Sequence, residues 1–391
     1  MANIILKKGE EDRLIAGQLW IYDNEIDYAD DDFLPGDIVD VYTSKGRFMG
    51  RGYINPFSKI SVRLLTRRQQ EINREFFKQR ILDAWEYRKM LGYTDNCRVV
   101  YGEADFLPAL IVDKFGDYLS IQTLALGIDI HKQEIVEILD EIFHPKGIYE
   151  RNDVPVREKE GLKQQKGFLL HEFDTTVQIV ENGVKMYVDL KNGQKTGYFL
   201  DQRENRAALR PYVKGKRVLD TFSHTGGFAL HAALYGAASV EAVDISAHAT
   251  DFIMQNAKLN GFENFTTTTA NVFDLLSQYV KEGRQYDVVV LDPPAFCKTR
   301  AAQKNAYRGY KEINLKAMKL LPDGGILMTC SCSHYMYQEL FLQMLKEAAA
   351  DAGKDIRIIE SRIQAKDHPV GLNSDESLYL KCFILQVLDR R

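Results

Sequence analysis

The chain has 391 residues, of which 45% are hydrophobic and 27% charged, and its formal net charge is -4. These values are typical of a globular protein of two or three domains and exclude polyanion binding through overall charge, so a nucleic acid would need local basic patches. Five cysteines without a CxxC pair exclude a disulfide framework and predict no metal site, and without a signal peptide or a membrane span we expect a cytoplasmic protein.

Residues 1–72 are predicted to form a small β-barrel domain. Alternating apolar residues, with Gly and Pro at the turns, predict strands within Leu34–Val41, Phe48–Ile54 and Lys59–Leu65. Basic side chains are concentrated in the second half of this segment, and acidic ones at Asp30–Asp32. One interpretation is a basic face for a phosphate backbone, and the other is two solvated charge clusters.

Residues 73–175 are predicted to form a second, α+β domain, because helical and strand patterns are mixed there without a nucleotide motif. The predicted elements are a helix at Glu75–Leu91, strands at Ala109–Val112 and Tyr118–Thr123, a helix at Ile128–Ile142 and a strand at Gly147–Glu150.

Residues 176–391 are predicted to form an α/β domain with a parallel, doubly wound sheet, after a hairpin that turns at Glu181–Gly183. The predicted strands are Val218–Thr221, Ser239–Asp244, Phe265–Thr269, Asp287–Leu291 and Gly325–Thr329, completed by strands around Ile356–Glu360 and Cys382–Leu388. The predicted helices are Phe228–Leu234, Ala247–Leu259, Val272–Glu282, Ala306–Leu321 and Tyr337–Ala350.

A nucleotide-type cofactor site is predicted where the first of these strands turns into a helix. The turn Phe222–Gly227 places two glycines at a helix N-terminus, and Asp244 ends the next strand, suited to ribose hydroxyls. The turn lacks the three glycines of a dinucleotide site, and its polar side chains suit the amino-acid end of S-adenosylmethionine. The residues predicted to contact this cofactor are Phe199, Gln202, Arg203, Asp220, Phe222, Ser223, His224, Thr225, Gly226, Gly227, Asp244, Ile245, Asn271, Val272 and Asp292.

Two further motifs are expected at the same edge of the sheet. Asp292 precedes two prolines, which fix the direction of a carboxylate that can hold a planar base. Cys330 and Cys332 are expected to follow the strand Ile326–Thr329. A thiolate that adds to carbon 6 of a pyrimidine makes carbon 5 nucleophilic, so the cysteines favour methyl transfer to carbon 5.

With these motifs the chain resembles the bacterial 23S ribosomal RNA cytosine-5 methyltransferases that carry an N-terminal PUA domain. The resemblance rests on Gly17–Tyr22, Leu34–Asp40, Tyr101–Asp113, Lys195–Arg203, Phe222–Phe228, Asp292–Phe296 and Thr329–Ser333. It implies a PUA barrel, an EEHEE-type middle domain and a Rossmann-like class I methyltransferase domain. It also implies S-adenosylmethionine as cofactor and ribosomal RNA as substrate.

The resemblance places the nucleophile at Cys330, with Cys332 as the second candidate, and the Asp-Pro-Pro sequence leads us to expect that Asp292 orients and polarises the base. Many RNA cytosine-5 enzymes have a product-releasing cysteine after Asp-x-Pro, but this chain has Ala295 there and its nearby thiol is Cys297. The base that removes the carbon-5 proton therefore stays unassigned, and the oligomeric state stays open, a homodimer included.

Three other functions are possible: methylation of a base nitrogen through the Asp-Pro-Pro-Ala-Phe motif, a non-catalytic RNA-binding factor, and a dinucleotide oxidoreductase. Nitrogen methylation is disfavoured because no aromatic residue directly follows the two prolines. The intact acidic and cysteine positions disfavour a non-catalytic factor, and the missing third glycine disfavours an oxidoreductase. RNA contacts are predicted at Arg47, Arg51, Arg63, Lys298 and Arg300.

Overall fold

The structure, a computed structural model, describes residues 1–297, 299–372 and 374–390. The chain forms two compact units. The first comprises Met1–Ile179, Val188–Leu200 and Lys366–Ser377, and the second comprises Val180–Tyr187, Asp201–Ala365 and Leu378–Arg391. Within the described ranges, none of the helices has the length and apolar character needed to cross a membrane.

The N-terminal part of the first unit is a six-stranded sheet. Its elements are β1 (Asn3–Leu6), α1 (Glu11–Ile15), β2 (Trp20–Tyr22), β3 (Ile26–Ala29), β4 (Ile38–Tyr42), β5 (Phe48–Ile54) and β6 (Ile60–Thr66). The strand order is β2-β6-β5-β4-β1-β3, with β1 and β4 parallel and the other pairs antiparallel. Alternate residues such as Ile4, Val39 and Val62 are fully buried in one apolar cluster, as the period-two pattern predicts. The predicted β-rich domain is confirmed.

The middle part of the first unit is a five-stranded sheet with helices packed on it. Its elements are α2 (Arg74–Met90), β7 (Asn96–Tyr101), β8 (Leu110–Phe115), β9 (Tyr118–Thr123), α3 (Leu126–Ile130), α4 (Lys132–Phe143), β10 (Gly147–Asn152) and β11 (Gln165–Leu170), in the strand order β11-β10-β9-β8-β7. The second predicted helix is divided at His131. The Asp129 carboxylate accepts hydrogen bonds from Thr123 Oγ1 (2.5 Å) and Arg157 Nη1 (2.9 Å), which fixes α3 at the end of β9.

The predicted hairpin is confirmed as β12 (Thr176–Glu181) and β13 (Val184–Asp189). The remaining elements are α5 (Arg203–Ala207), α6 (Arg210–Val213), β14 (Arg217–Thr221), α7 (Gly227–Leu234), β15 (Ser239–Asp244), α8 (Ala247–Leu259), β16 (Phe265–Thr269), α9 (Val272–Glu282), β17 (Val288–Leu291), α10 (Gln303–Lys319), β18 (Gly325–Ser331), α11 (Gln338–Ala352), β19 (Lys354–Arg362) and β20 (Lys381–Asp389).

The second unit contains a seven-stranded sheet in the order β16-β15-β14-β17-β18-β20-β19. The five strands from β16 to β18 are parallel, as predicted, whereas β20 inserts between β18 and β19 and runs antiparallel to both. The sheet is therefore mixed rather than wholly parallel. The parallel strands have nearly continuous buried runs, as in Val288–Leu291, because helices cover both faces. Their carboxyl ends meet at one edge, where the predicted site residues lie.

A candidate active site at the carboxyl edge of the sheet

The glycine turn after β14 has a constrained backbone. Phe222 and His224 have φ values of 58° and 52°, and Gly226, with φ 85°, lies where an added Cβ would be 3.0 Å from Ile253 Cγ2. Ser223 Oγ donates to the Asp220 carbonyl oxygen (2.9 Å) and accepts from the backbone N–H of Val243 (3.1 Å). The Ser223 hydroxyl thus holds the turn against the strands, a different role from the predicted cofactor contact.

Asp220 has the chemistry expected of a site for a cationic group. Its side chain is buried, Oδ2 accepts from the backbone N–H of Ala229 (3.1 Å), and Oδ1 has no hydrogen-bond partner among the described residues. Burial raises the pKa of Asp220 to about 8, and the charges of Asp292 and Asp244 add to this increase. Thr225 Oγ1 is likewise buried and unpaired within the described chain. An ammonium group would satisfy the Asp220 carboxylate, so this pocket fits the amino-acid end of S-adenosylmethionine.

Asp244 and Ile245 form the second part of the cofactor site. Asp244 Oδ2 accepts from the backbone N–H of His224, and Oδ1 from that of Ser246, both at 2.9 Å. These bonds fix the orientation of the carboxylate and leave further lone pairs for ribose hydroxyls. The next side chain, Ile245, is 71% exposed although it is apolar. An exposed apolar side chain beside a fixed carboxylate suits a ribose and its attached base.

The structure limits the roles of three other predicted cofactor residues. Val272 is buried in the apolar core of the second unit, so its side chain is not available to a ligand. Asn271 Oδ1 caps α9 by accepting from the backbone N–H of Phe273 (2.9 Å). Gly227 is the first residue of α7 and its carbonyl accepts from His231 Nδ1 (2.7 Å). Because Oδ1 is used in this cap, the Nδ2 amino group of Asn271 is the part of its side chain that could contact an adenine.

Three residues of the segment that precedes β14, Phe199, Gln202 and Arg203, were predicted to contact the cofactor, and they have different surroundings. Phe199 belongs to the first compact unit, and its cofactor contact stays a prediction. Gln202 is buried, and its Nε2 donates to Asp292 Oδ1 (2.8 Å). Its amide therefore orients the Asp292 carboxylate. Arg203 begins α5, and its carbonyl oxygen accepts from Asn182 Nδ2 (3.1 Å).

A chain of hydrogen bonds continues behind Gln202. Asn205 Nδ2 donates to Gln202 Oε1 (2.7 Å), and Arg362 Nε donates to Asn205 Oδ1 (2.9 Å). Arg362 in turn forms an ion pair with Glu360 (2.6 Å). Sequence reasoning missed Asn205 and Arg362, because 157 residues separate them and no motif links them. This chain fixes the rotamer of Gln202 and, through it, the Asp292 carboxylate.

The two cysteines of the Cys-Ser-Cys-Ser motif lie in different environments. Cys330 lies within β18, opposite Cys382 of β20, and both are fully buried. Burial, and then the neighbouring Cys382, raises the pKa of the Cys330 thiol well above its ordinary value. The expectation that Cys330 follows the strand is wrong, because β18 continues to Ser331 to pair with β20. Cys332 comes after the strand, is half-buried, and its Sγ lies 3.9 Å from the Pro293 carbonyl oxygen.

The third thiol and the aromatic residue near Asp292 both face inward. Cys297 is buried, and its Sγ donates to the Thr299 carbonyl oxygen (3.2 Å). The Phe296 ring packs on Tyr310 (4.7 Å between ring centroids), Phe273 (5.8 Å) and Phe222 (6.3 Å). These contacts occupy the ring in the core rather than leaving it as a stacking platform.

Of the basic residues predicted to contact RNA, Arg47 and Arg300 are exposed, and Lys298 lies outside the described residues. Arg51 pairs with Asp40 through Nε (2.7 Å) and Nη2 (3.0 Å). Arg63 is buried, and its Nη2 lies 2.8 Å from Glu160 Oε1. Arg63 therefore cannot form part of a basic surface, because its guanidinium neutralises a buried carboxylate.

Another basic cluster, for which the sequence analysis predicted no RNA contact, lines a cleft of about 820 Å³ in the first unit. Arg67, Arg68 and Arg80 lie along it, and the Arg80 guanidinium lies 5.3 Å from the ring centroid of Phe76 and 5.4 Å from that of Phe106. Phe106 is 52% exposed. The adjacent Arg67-Arg68 pair was visible in the sequence, but Arg80 lies on α2, and only the fold brings it to the same cleft.

Comparisons with known proteins identify two domain families in the chain. Residues 4–67 match the PUA-like domain family and residues 164–376 the S-adenosylmethionine-dependent methyltransferase family. The chain is 42% identical to the ribosomal RNA large subunit methyltransferase I of Aeromonas salmonicida, covering 98% of each chain, and 40% identical to that of Vibrio vulnificus, covering 99% and 100%.

Among solved structures, a putative SAM-dependent methyltransferase from Streptococcus mutans superposes with a TM-score of 0.83 over 99% of this chain and 100% of that one, at 21% identity. This likeness supports the fold, and the much closer sequence relatives identify the family. The chain belongs to the ribosomal RNA large subunit methyltransferase I family of S-adenosylmethionine-dependent methyltransferases.

Proposed function

We propose that this enzyme methylates carbon 5 of a cytosine in 23S ribosomal RNA, with Cys332 as the nucleophile. The family and its cofactor requirement supply the reaction class, and the names of the relatives point to large-subunit ribosomal RNA. The observation that carries the carbon-5 target is a half-buried thiol, Cys332, directly beside the Asp292-Pro293-Pro294 turn. Transfer to a base nitrogen has no need of such a thiol.

S-adenosylmethionine supplies an electrophilic methyl group on its sulfonium. On the protein side, Asp220 would hold the ammonium of the amino-acid end, Asp244 would accept from the ribose hydroxyls, and Ile245 would pack on the base. The raised pKa of Asp220 belongs to the protein without a cation, and a bound ammonium favours the ionised carboxylate.

Cys332 Sγ forms a bond to carbon 6 of the cytosine, and the displaced π electrons make carbon 5 nucleophilic. Asp292, held by Gln202, orients and polarises the ring during this addition. Carbon 5 would then bond the methyl group while the sulfonium–methyl bond breaks, and its electron pair would leave with the cofactor as a neutral thioether. Loss of the carbon-5 proton returns electrons to the ring, the Sγ–carbon 6 bond breaks, and the thiolate of Cys332 is free again.

The assignment of Cys332 rather than Cys330 rests on access. Cys330 is fully buried, so a base cannot reach its Sγ unless the side chains packed over it move, whereas Cys332 is partly exposed. The domain limits that we propose are residues 1–72, 73–175 and 176–391, which place the six-, five- and seven-stranded sheets in separate domains, with the last domain also holding the β12-β13 hairpin and carrying the reaction.

In the deciding experiment, 23S ribosomal RNA is taken from a strain that lacks this enzyme. The RNA is incubated with the enzyme and labelled S-adenosylmethionine, and its nucleosides are then analysed by mass spectrometry. We expect 5-methylcytosine at one position. A nitrogen-methylated nucleoside would overturn the proposed chemistry, and the absence of cofactor binding by calorimetry would instead favour a non-catalytic RNA-binding factor.

We propose that the cleft lined by Arg67, Arg68 and Arg80 contacts RNA phosphates, together with Arg47 and Arg300. Arg68 is exposed and can reach such a phosphate. Arg68→Ala is expected to weaken RNA binding and to reduce the slope of log affinity against log salt by about 1. Lys146→Ala, which removes an exposed cation paired with Asp117, is the control and should leave the slope unchanged. An equal slope for both variants would exclude Arg68 from the contact.

A further inference from the structure

Lys381 is a buried cation next to the Cys-Ser-Cys-Ser loop. It is the first residue of β20, is 6% exposed, and pairs with Ser331 across the sheet. Its Nζ donates to the carbonyl oxygens of Ser333 and Tyr379, both at 2.8 Å. No carboxylate forms an ion pair with it among the described residues. Since a buried ammonium is costly without an anion, this arrangement calls for a negative partner.

The anion that the surroundings offer is the thiolate of Cys332. Burial lowers the pKa of Lys381 to about 8, and a negative charge on Cys332 acts in the opposite direction by stabilising the ammonium. Interaction between two charges is mutual, so an ammonium at Lys381 must equally favour the thiolate. The bond to the Ser333 carbonyl places this ammonium one residue from the thiol.

We propose that Lys381 is a positioning residue that acts through Cys332, holding the loop by the Ser333 carbonyl and serving as counter-ion to the thiolate. A thiolate adds to carbon 6 far faster than a thiol, so a nearby ammonium keeps the nucleophile in its reactive form. The catalytic consequence rests on the proposed function of Cys332, whereas the effect on the thiol itself does not.

Other ionisable groups face the same thiol. Tyr310 OH lies 3.0 Å from Ser333 Oγ, and burial raises the pKa of Tyr310 to about 12, so its hydroxyl stays neutral. Asp292 lies in the adjoining turn and opposes a second negative charge. Cys330 and Cys382 are buried, and burial raises the pKa of the Cys330 thiol, so that this group stays neutral. Among these groups of the described chain, Lys381 is the cation, and its charge favours the thiolate whereas that of Asp292 opposes it.

The test is the pH dependence of Cys332 alkylation by iodoacetamide in the full chain, without RNA or cofactor, with peptide mass spectrometry assigning the site. In Lys381→Met we expect the apparent pKa of the thiol to rise, and the alkylation rate at pH 7 to fall about tenfold for each pH unit of that rise. Lys381→Arg should retain most of the wild-type profile. Lys354→Met is the matched control, because Lys354 also bonds a carbonyl oxygen, that of Leu321, but on β19.

If Lys381→Met fails to fold, Lys381→Gln keeps hydrogen-bond donors without the charge and is expected to show the same shift. A folded Met or Gln variant with the wild-type alkylation profile overturns the proposal. Activity of Cys332→Ala separates the two ideas: an active variant would refute Cys332 as nucleophile, while the alkylation shift would still establish the ion pair.

Discussion

The glycine turn after β14 and the cysteine loop after β18 lie at the same edge of the sheet but differ in how their chemistry arises. In the turn, the backbone of Phe222–Gly226 and a few local hydrogen bonds place Asp220 and Asp244. In the loop, two thiols two residues apart have opposite environments, one inside a strand pair and one outside it.

A local sequence motif therefore identifies a cofactor site more securely than it identifies a nucleophile. The conformation of a turn and the position of a carboxylate at a strand end depend on residues that are neighbours in the sequence, so a sequence motif can predict them. The burial of Cys330 depends on tertiary packing around β18, where its neighbours include Cys382, which is 52 positions later and lies opposite it in β20.

The largest effect is expected in the cysteine loop. Cys332→Ala should reduce turnover by about 10⁴-fold or more, since it removes the attacking atom, with cofactor affinity unchanged. Cys330→Ala should keep turnover and lose only about 1 kcal/mol of unfolding free energy, since it leaves a small cavity. Single-turnover methylation and denaturant unfolding measure these. An inactive but stable Cys330→Ala beside an active Cys332→Ala would reverse the assignment.

In the cofactor turn, Asp220→Asn should weaken S-adenosylmethionine binding by about 30-fold, or ~2 kcal/mol, because a charge-assisted bond is lost. The wild-type affinity should rise between pH 6 and pH 7.5, because the carboxyl of Asp220 must lose its proton to hold an ammonium. Calorimetry across this range tests both effects. Asp274→Asn, at an exposed carboxylate on α9, is the control.

The same pKa shift sets a stability trend. Without cofactor, folded Asp220 keeps its proton up to about pH 8, whereas in the unfolded chain the carboxyl ionises near its ordinary 3.8. The folded state therefore binds the extra proton in this window, and the free energy of unfolding should fall as the pH rises through it. Asp220→Asn should remove that part of the fall. An Asp220→Asn protein with the wild-type slope would contradict the raised pKa.

A smaller effect is expected behind Asp292. Asn205→Ala should lower kcat by about tenfold, because Gln202 loses the donor that fixes its amide and Asp292 loses its fixed orientation. Cofactor affinity, measured by calorimetry, should stay within about twofold, since Asp220 and Asp244 are untouched. A loss confined to cofactor affinity would place Asn205 with the glycine turn instead.

The smallest effect is expected at Ile245. Ile245→Ala should weaken cofactor binding by about fivefold, or ~1 kcal/mol, because less apolar surface is covered by the ligand. Its melting temperature without cofactor should match that of the wild type, since the side chain is 71% exposed. Ile359→Ala, at an exposed apolar position on β19, is the control for binding. Equal affinities for both variants would exclude Ile245 from the site.

The sequence by itself determined the alternation of strands and helices in the second unit, the turn Phe222–Gly227 and the position of Asp244. Local backbone preferences and burial patterns determine these features, and they act over a few residues. The sequence also indicated a pair of thiols and an Asp-Pro-Pro turn. The residue types alone determine which reactions these side chains can perform.

Tertiary structure decided which of these groups is available. The packed fold buries Cys330 and buries Arg63 against Glu160, and it brings Asn205 to Arg362 and Lys381 to Ser333, residues far apart in sequence. Burial and long-range pairing depend on the whole packed sheet rather than on neighbouring residues. For that reason the sequence placed Cys330 before Cys332 as the candidate nucleophile, and the burial of Cys330 in the fold is what leads us to propose Cys332 instead.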